Sequence, residues 1–120
     1  MITQHFFFLW LRSFLFTLAV EIPVYVVVSR GQVRPRKAAL AGALCSCVTH
    51  PLLWFVWREF FTDYKTYVIS GELLVGVVES LIFFAVARPV TLPRAISASF
   101  LANAASYGLG HLLHKLHWLL

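Results

Sequence analysis

A chain of 120 residues that is 60% hydrophobic, 16% aromatic and only 12% charged is not an ordinary water-facing domain, since such domains carry about 25% charged residues. The aromatic content excludes disorder as well. The formal charge of +5 requires no nucleic acid, because a basic rim beside anionic lipid accounts for it.

What remains is an all-α polytopic membrane protein. Apolar runs occupy 6–28, 38–57, 67–87 and 95–113, each close to the roughly 20 residues that a spanning helix needs. Continuous stretches such as Val24 to Val28 and Leu81 to Phe84 lack the strict alternation of a membrane barrel. The first run is too long for the apolar core of a cleaved signal peptide, about 7–15 residues, and carries Glu21 and Pro23 near its end. The expected domain is a single transmembrane unit over 1–120.

Lys and Arg in short loops set orientation, because they stay on the cytoplasmic side. The first loop holds Arg30, Arg34, Arg36 and Lys37, and the third holds Arg88 and Arg94, whereas in the second Arg58 and Lys65 are offset by Glu59 and Asp63. Loops one and three are therefore expected in the cytoplasm, with both termini outside. Trp54, Trp57, Tyr64 and Tyr67 then form part of an outer aromatic belt, and Arg12 snorkels toward that surface.

An internal repeat organises the chain. Val20-Glu21, Arg30 and Pro35-Arg36 recur 58 residues later as Val78-Glu79, Arg88 and Pro93-Arg94. With one loop residue dropped, Leu44, Ser46, Thr49 and Leu52 fall on Leu101, Asn103, Ser106 and Leu109. The pattern predicts two tandem pseudo-symmetric helical hairpins, about 6–57 and 67–116, related by an axis along the membrane normal. Helical spacing gives each helix a polar, small-residue stripe: Ser13, Thr17, Glu21 and Tyr25; Gly42, Ser46 and Thr49; Glu72, Gly76, Glu79 and Ser80; Ser99, Asn103, Ser106 and Gly110. Glu21, Glu79, Ser46 and Asn103 share a depth of about 12 Å from the cytoplasmic edge at 1.5 Å rise per residue. Such stripes face protein or a water-filled cavity, so all four should meet at the bundle axis, with Gly42, Gly76 and Gly110 allowing close approach.

Two readings of Glu21 and Glu79 stand side by side. In one they are polar glue, bonded across helices to Ser46, Thr49, Asn103 or Ser106. In the other they handle a proton or cation, the usual meaning of an intramembrane carboxylate, together with Glu72. His50, one turn outward of Ser46, could relay a proton toward Glu21 or be a neutral histidine bonded inside the bundle. Pro51 after it removes a backbone donor. His111, His114 and His117 recur every three residues, a weak metal candidate or an interfacial anchor. No sequence pattern selects haem or chlorophyll ligation by any histidine, and the cofactor stays unknown. Cys45 and Cys47 point apart on a helix and read as packing residues. No P-loop, dinucleotide turn, zinc-protease or nucleophile-elbow motif is present, and Glu21, Glu79 and His50 fit an intramembrane hydrolase only loosely.

Glu21-Ile22-Pro23-Val24-Tyr25, Thr49-His50-Pro51-Leu52-Leu53-Trp54, Gly71-Glu72-Leu73-Leu74-Val75 with Glu79, and Asn103 with Ser106 and Gly110 resemble a family of small four-helix bacterial integral membrane proteins without assigned function. Ser46 stands where that family is expected to carry Asn. The resemblance implies a four-helix fold in a bacterial inner membrane and no chemistry. The expected function is binding, with translocation, of protons, a small cation or a small polar solute. The alternative is a non-catalytic accessory subunit of a larger membrane complex, one associated with haem or pigment included. So short a chain makes a thin wall, and a homo-oligomer or docking into a complex is expected.

Topology reporters test the orientation. Fusions after Lys37 and Arg94 should report cytoplasm and one after Asp63 the exterior; the reverse would refute the loop-charge argument.

Overall fold

The computed structural model, which describes residues 4–115 with the side chain of His114 excepted, is helical throughout its spans. Helix α1 covers Gln4–Val28, α2 Pro35–Pro51, α3 Tyr64–Val86 and α4 Leu92–Lys115. The segment Pro35–Phe60, α1 and α3 are each long and apolar enough to cross a membrane. Helix α4 is 24 residues long, yet it is not in that group, because Ser97, Ser99, Asn103, Ser106 and His111 dilute its apolar content. Four helices stand where four were expected, and three of them are apolar enough to span by composition. Of the polar residues on α4, Ser99, Asn103 and Ser106 lie on the stripe turned toward the other helices, whereas Ser97 and His111 are exposed.

Local chemistry sets the boundaries. Gly31, at φ +91°, supplies the left-handed turn after α1 that a side chain would disfavour. Pro35 opens α2 at a position whose amide would lack an intrahelical acceptor in any case. Asp63 caps α3 by accepting from the Thr66 amide at 3.0 Å and the Thr66 hydroxyl at 2.6 Å, and these bonds hold its carboxyl below the usual carboxylate range. Pro51 lacks the amide that would continue the α2 ladder. Beyond it, residues Leu52–Val56 form a wide turn, closed by the Trp57 amide on the Leu52 carbonyl, and Trp57–Phe60 tighten into 3-10 geometry.

The helices pack in cyclic order, α1 beside α2 and α4, and α3 beside the same two. The loops after α1 and α3 share one end, where they are stitched together. The Thr91 amide donates to Gln32 Oε1 at 3.0 Å. Arg94 Nη1 donates to the carbonyls of Val28 at 3.0 Å and Arg30 at 3.3 Å, and Lys37 Nζ donates to the Arg88 carbonyl. A cation at the start of α4 therefore caps the end of α1, and one at the start of α2 caps the end of α3, which complements the helix dipoles.

The buried core occupies that same half. Ala38, Ala41, Ala87, Ala95, Ala98 and Ala102 bring the backbones together around Tyr25 and Phe83, whose ring centroids are 4.6 Å apart. Large apolar side chains such as Leu40, Leu73, Leu81 and Leu101 are instead exposed around the outside, the inversion expected of a lipid-facing surface. The long axis of 41 Å matches a bilayer with its headgroups, about 40–45 Å.

The stripe glycines differ from one another. A Cβ on Gly42 would stand 2.9 Å from Tyr25 Cδ2, and one on Gly76 would run into the Phe100 ring, whereas one on Gly110 would make an ordinary 3.6 Å contact with Phe16. Gly42→Ala should therefore lower stability by on the order of 1–3 kcal/mol from overpacking, outweighing the gain of about 0.5–1 kcal/mol that alanine brings to a helix interior. Gly108→Ala, with nothing within 4 Å, should keep that gain. Thermal unfolding of both variants in detergent checks the contrast.

Candidate functional site

Seven of the stripe residues expected at the axis do meet there. Glu21 on α1 accepts hydrogen bonds from Ser46 Oγ on α2 at 3.0 Å and from Ser106 Oγ on α4 at 2.6 Å. Glu79 on α3 accepts from Asn103 Nδ2 on α4 at 3.2 Å and from Thr49 Oγ1 on α2. The fifth donor is the Tyr25 hydroxyl, 2.7 Å from Glu79 Oε1, which reaches across the bundle from α1 to α3. Both glutamates are 1% exposed. All five partners are neutral donors, so the layer satisfies two buried carboxyls without a counter-cation among those bonds.

Three of the donors are themselves held at backbone carbonyls. Thr49 Oγ1 lies 3.0 Å from the Cys45 carbonyl, Asn103 Nδ2 donates to the Ser99 carbonyl at 2.8 Å, and Ser106 Oγ lies 3.2 Å from the Asn103 carbonyl. Ser99 Oγ ties α4 to α3 through the Gly76 carbonyl at 2.8 Å, and Cys45 Sγ lies 3.6 Å from the Glu79 carbonyl. Cys45 is buried and Cys47 exposed, as their divergent directions on the helix require.

A cavity of about 1240 Å³ begins at this layer and continues to the bundle end formed by the α2–α3 connection, where Thr62, Asp63 and Tyr64 line it. Its lining includes Glu21, Glu79 and all three remaining acidic residues of the chain, Glu59, Asp63 and Glu72. Of the ten Lys and Arg residues only Arg12 and Arg58 line it. Glu72 is half-buried on the wall, with no hydrogen-bond partner among the described residues.

His50 stands on the same wall, 9% exposed. Its Nε2 is 3.4 Å from Thr17 Oγ1, and its ring sits among Trp10, Phe14 and Trp54, with centroids at 6.4, 5.4 and 6.1 Å. Its Nδ1, like Trp10 Nε1, is buried without a partner among the described residues. Of the belt aromatics, Trp54, Tyr64 and Tyr67 line the cavity, and Trp57 Nε1 donates to Ser70 Oγ at 3.3 Å. His111 lines the cavity near Tyr107. His117 lies outside the described residues, as does the His114 side chain. Among the described residues no group of three His, Cys, Asp or Glu is arranged to hold a metal ion.

Sequence reasoning passed over Tyr25 as a site residue, although it falls on the stripe one turn from Glu21; a phenol in an apolar run was the available signal. The mouth residues Glu59, Asp63 and Arg58 were read only as loop charges. The chain matches no protein-family model, no curated protein and no solved structure.

Tyr25→Phe keeps the ring against Phe83 and deletes one donor to Glu79. It should lower stability by on the order of 1 kcal/mol, between the membrane average for such bonds and the cost of a stranded buried acceptor. Thermal or chemical unfolding in detergent measures it.

Proposed function

We propose that this membrane protein binds a cation or proton at the Glu21–Glu79 layer, which it reaches from the end opposite the basic loops, and passes it across the bilayer. The observation that carries the reading is electrostatic. A chain of net charge +5 gathers every acidic side chain it has around one cavity, and that cavity ends on two buried carboxyls whose hydrogen-bond partners are all neutral. Carboxylates at membrane depth are costly, and they cluster where ions or protons travel.

The tandem-hairpin symmetry belongs to this proposal. Under the repeat offset Glu21 exchanges with Glu79, Ser46 with Asn103, and Thr49 with Ser106. Four of the five bonds exchange in the same way: each glutamate takes one donor from its own hairpin, Ser46 or Asn103, and one from the other, Ser106 or Thr49, and the Tyr25 hydroxyl adds a fifth to Glu79 alone. Tyr25 and Phe83, 58 residues apart, stack on each other, as residues beside a two-fold axis would. A site of this kind offers two facing carboxyls, at one depth in the bundle, to one ligand. On this reading α4 spans the membrane with the other three, both termini face outside, and the compartment implied by the family resemblance is a bacterial inner membrane. A homo-oligomer or a larger complex would thicken the thin wall.

A second reading has an observation of its own. Five neutral donors also suit carboxylic acids that only hold the helices together, as in an accessory subunit. Glu21→Gln and Glu79→Gln separate the two, since the amide can keep hydrogen bonding but cannot titrate or carry charge. In proteoliposomes the cation site predicts that both variants stay folded, by thermal melting, and lose at least about tenfold in proton or cation flux. Flux equal to wild type in both variants, or none in any protein, would support the structural role.

A further inference from the structure

A bare ion needs one coordination site, and this cavity is far larger. Its volume of about 1240 Å³ exceeds the roughly 300–1,000 Å³ of common small-molecule pockets. Its acidic groups are also stacked in depth rather than gathered at a single point. Glu72 and Glu79 lie seven residues apart on α3, a spacing that returns to the same helix face after two turns and separates them by about 10 Å of rise. Both line the cavity. Glu79 sits at the floor with Glu21, held by three donors, whereas Glu72 has none among the described residues. Between the two levels the wall carries Phe16, Leu53 and Val75, which are apolar. The lining cations belong to the mouth half: Arg58 follows the wide turn, and Arg12 is nine residues, about 13 Å of rise, outward of Glu21.

His50 stands on this wall one turn above Ser46, 9% exposed, with Nε2 3.4 Å from Thr17 Oγ1. Its Nδ1 is sealed from the cavity among Trp10, Phe14 and Trp54, so it shapes the wall and is not a contact for the ligand.

We propose that the cavity binds an elongated organic dication, a linear diammonium compound. One ammonium rests on the Glu21–Glu79 floor, the other meets Glu72, and the methylene chain between them lies against Phe16, Leu53 and Val75. The inference rests on the cation-binding reading above and adds the chemical class. It makes Glu72 the group that measures ligand length, because only a second ammonium at the right distance can use it. Monoamines use the floor alone, and diamines too short to span the two levels gain nothing over them.

Calorimetric titration of the purified protein in detergent tests this with linear diamines from diaminopropane to diaminooctane, the monoamines of matching carbon number, and potassium ion. Affinity should pass through a maximum along the diamine series, with the best diamine at least about tenfold tighter than its monoamine, the ratio expected for one added charge-assisted contact. In Glu72→Gln, checked for folding by thermal melting, that diamine should fall to the monoamine level. A flat dependence on chain length in the wild type, or a Glu72→Gln variant that keeps the diamine advantage, would overturn the inference while leaving cation binding in place. Absence of binding by every amine and by potassium would remove the cation reading beneath it.

Discussion

Two carboxyl groups buried at membrane depth must be satisfied by the helices around them, and that requirement ties the bundle together. Glu21 engages α2 and α4, and Glu79 engages α1, α2 and α4. A rotation of any one helix would leave a buried donor and a buried acceptor unpaired, at a cost of about 1–3 kcal/mol. Individually such bonds contribute only about 0.6 kcal/mol in membranes, so they specify the arrangement more than they stabilise it. Anchoring of the donors to backbone carbonyls, as for Thr49 and Asn103, fixes their rotamers before they meet the carboxyls.

Side-chain size decides which end of the bundle is closed. Alanines at 38, 41, 87, 95, 98 and 102 let the backbones approach around Tyr25 and Phe83, and cations from the starts of α2 and α4 cap the ends of α3 and α1 beyond them. Toward the other end the small residues give way to Phe16, Leu53, Trp54 and Tyr67, which hold the helices apart and line the cavity. The carboxyl layer sits at the boundary between these two regimes. One-sided access therefore follows from where the small residues stop, and it underlies the proposal that a ligand arrives from the side away from the basic loops.

Much of this was legible in the sequence because the membrane reduces the alternatives. Long apolar runs can only be helices there, and a polar stripe can only face inward, so Glu21, Ser46, Thr49, Glu79, Asn103 and Ser106 could be placed together from spacing alone. Tyr25 was harder, since its reach across the bundle to Glu79 depends on packing against Phe83 that no local pattern encodes. Pro51 announced a break in α2 but not its form, the wide turn over 52–56. Trp54, Tyr64 and Tyr67 suited an interfacial belt by composition. Their position on the cavity wall depends on how that turn rotates the chain end. The capping of α1 by Arg94 was likewise invisible, because those residues are 64 and more positions apart.

The central claim is that Glu21 and Glu79 form a cation site open to one side only. Labelling with a membrane-impermeant carbodiimide, applied to proteoliposomes of each orientation and read by peptide mass spectrometry, tests it most directly. The account predicts modification of Glu79 or Glu21 only when the reagent is on the side of the α2–α3 connection, and protection by a bound organic cation. Modification from the basic-loop side, or labelling that no cation slows, would contradict it.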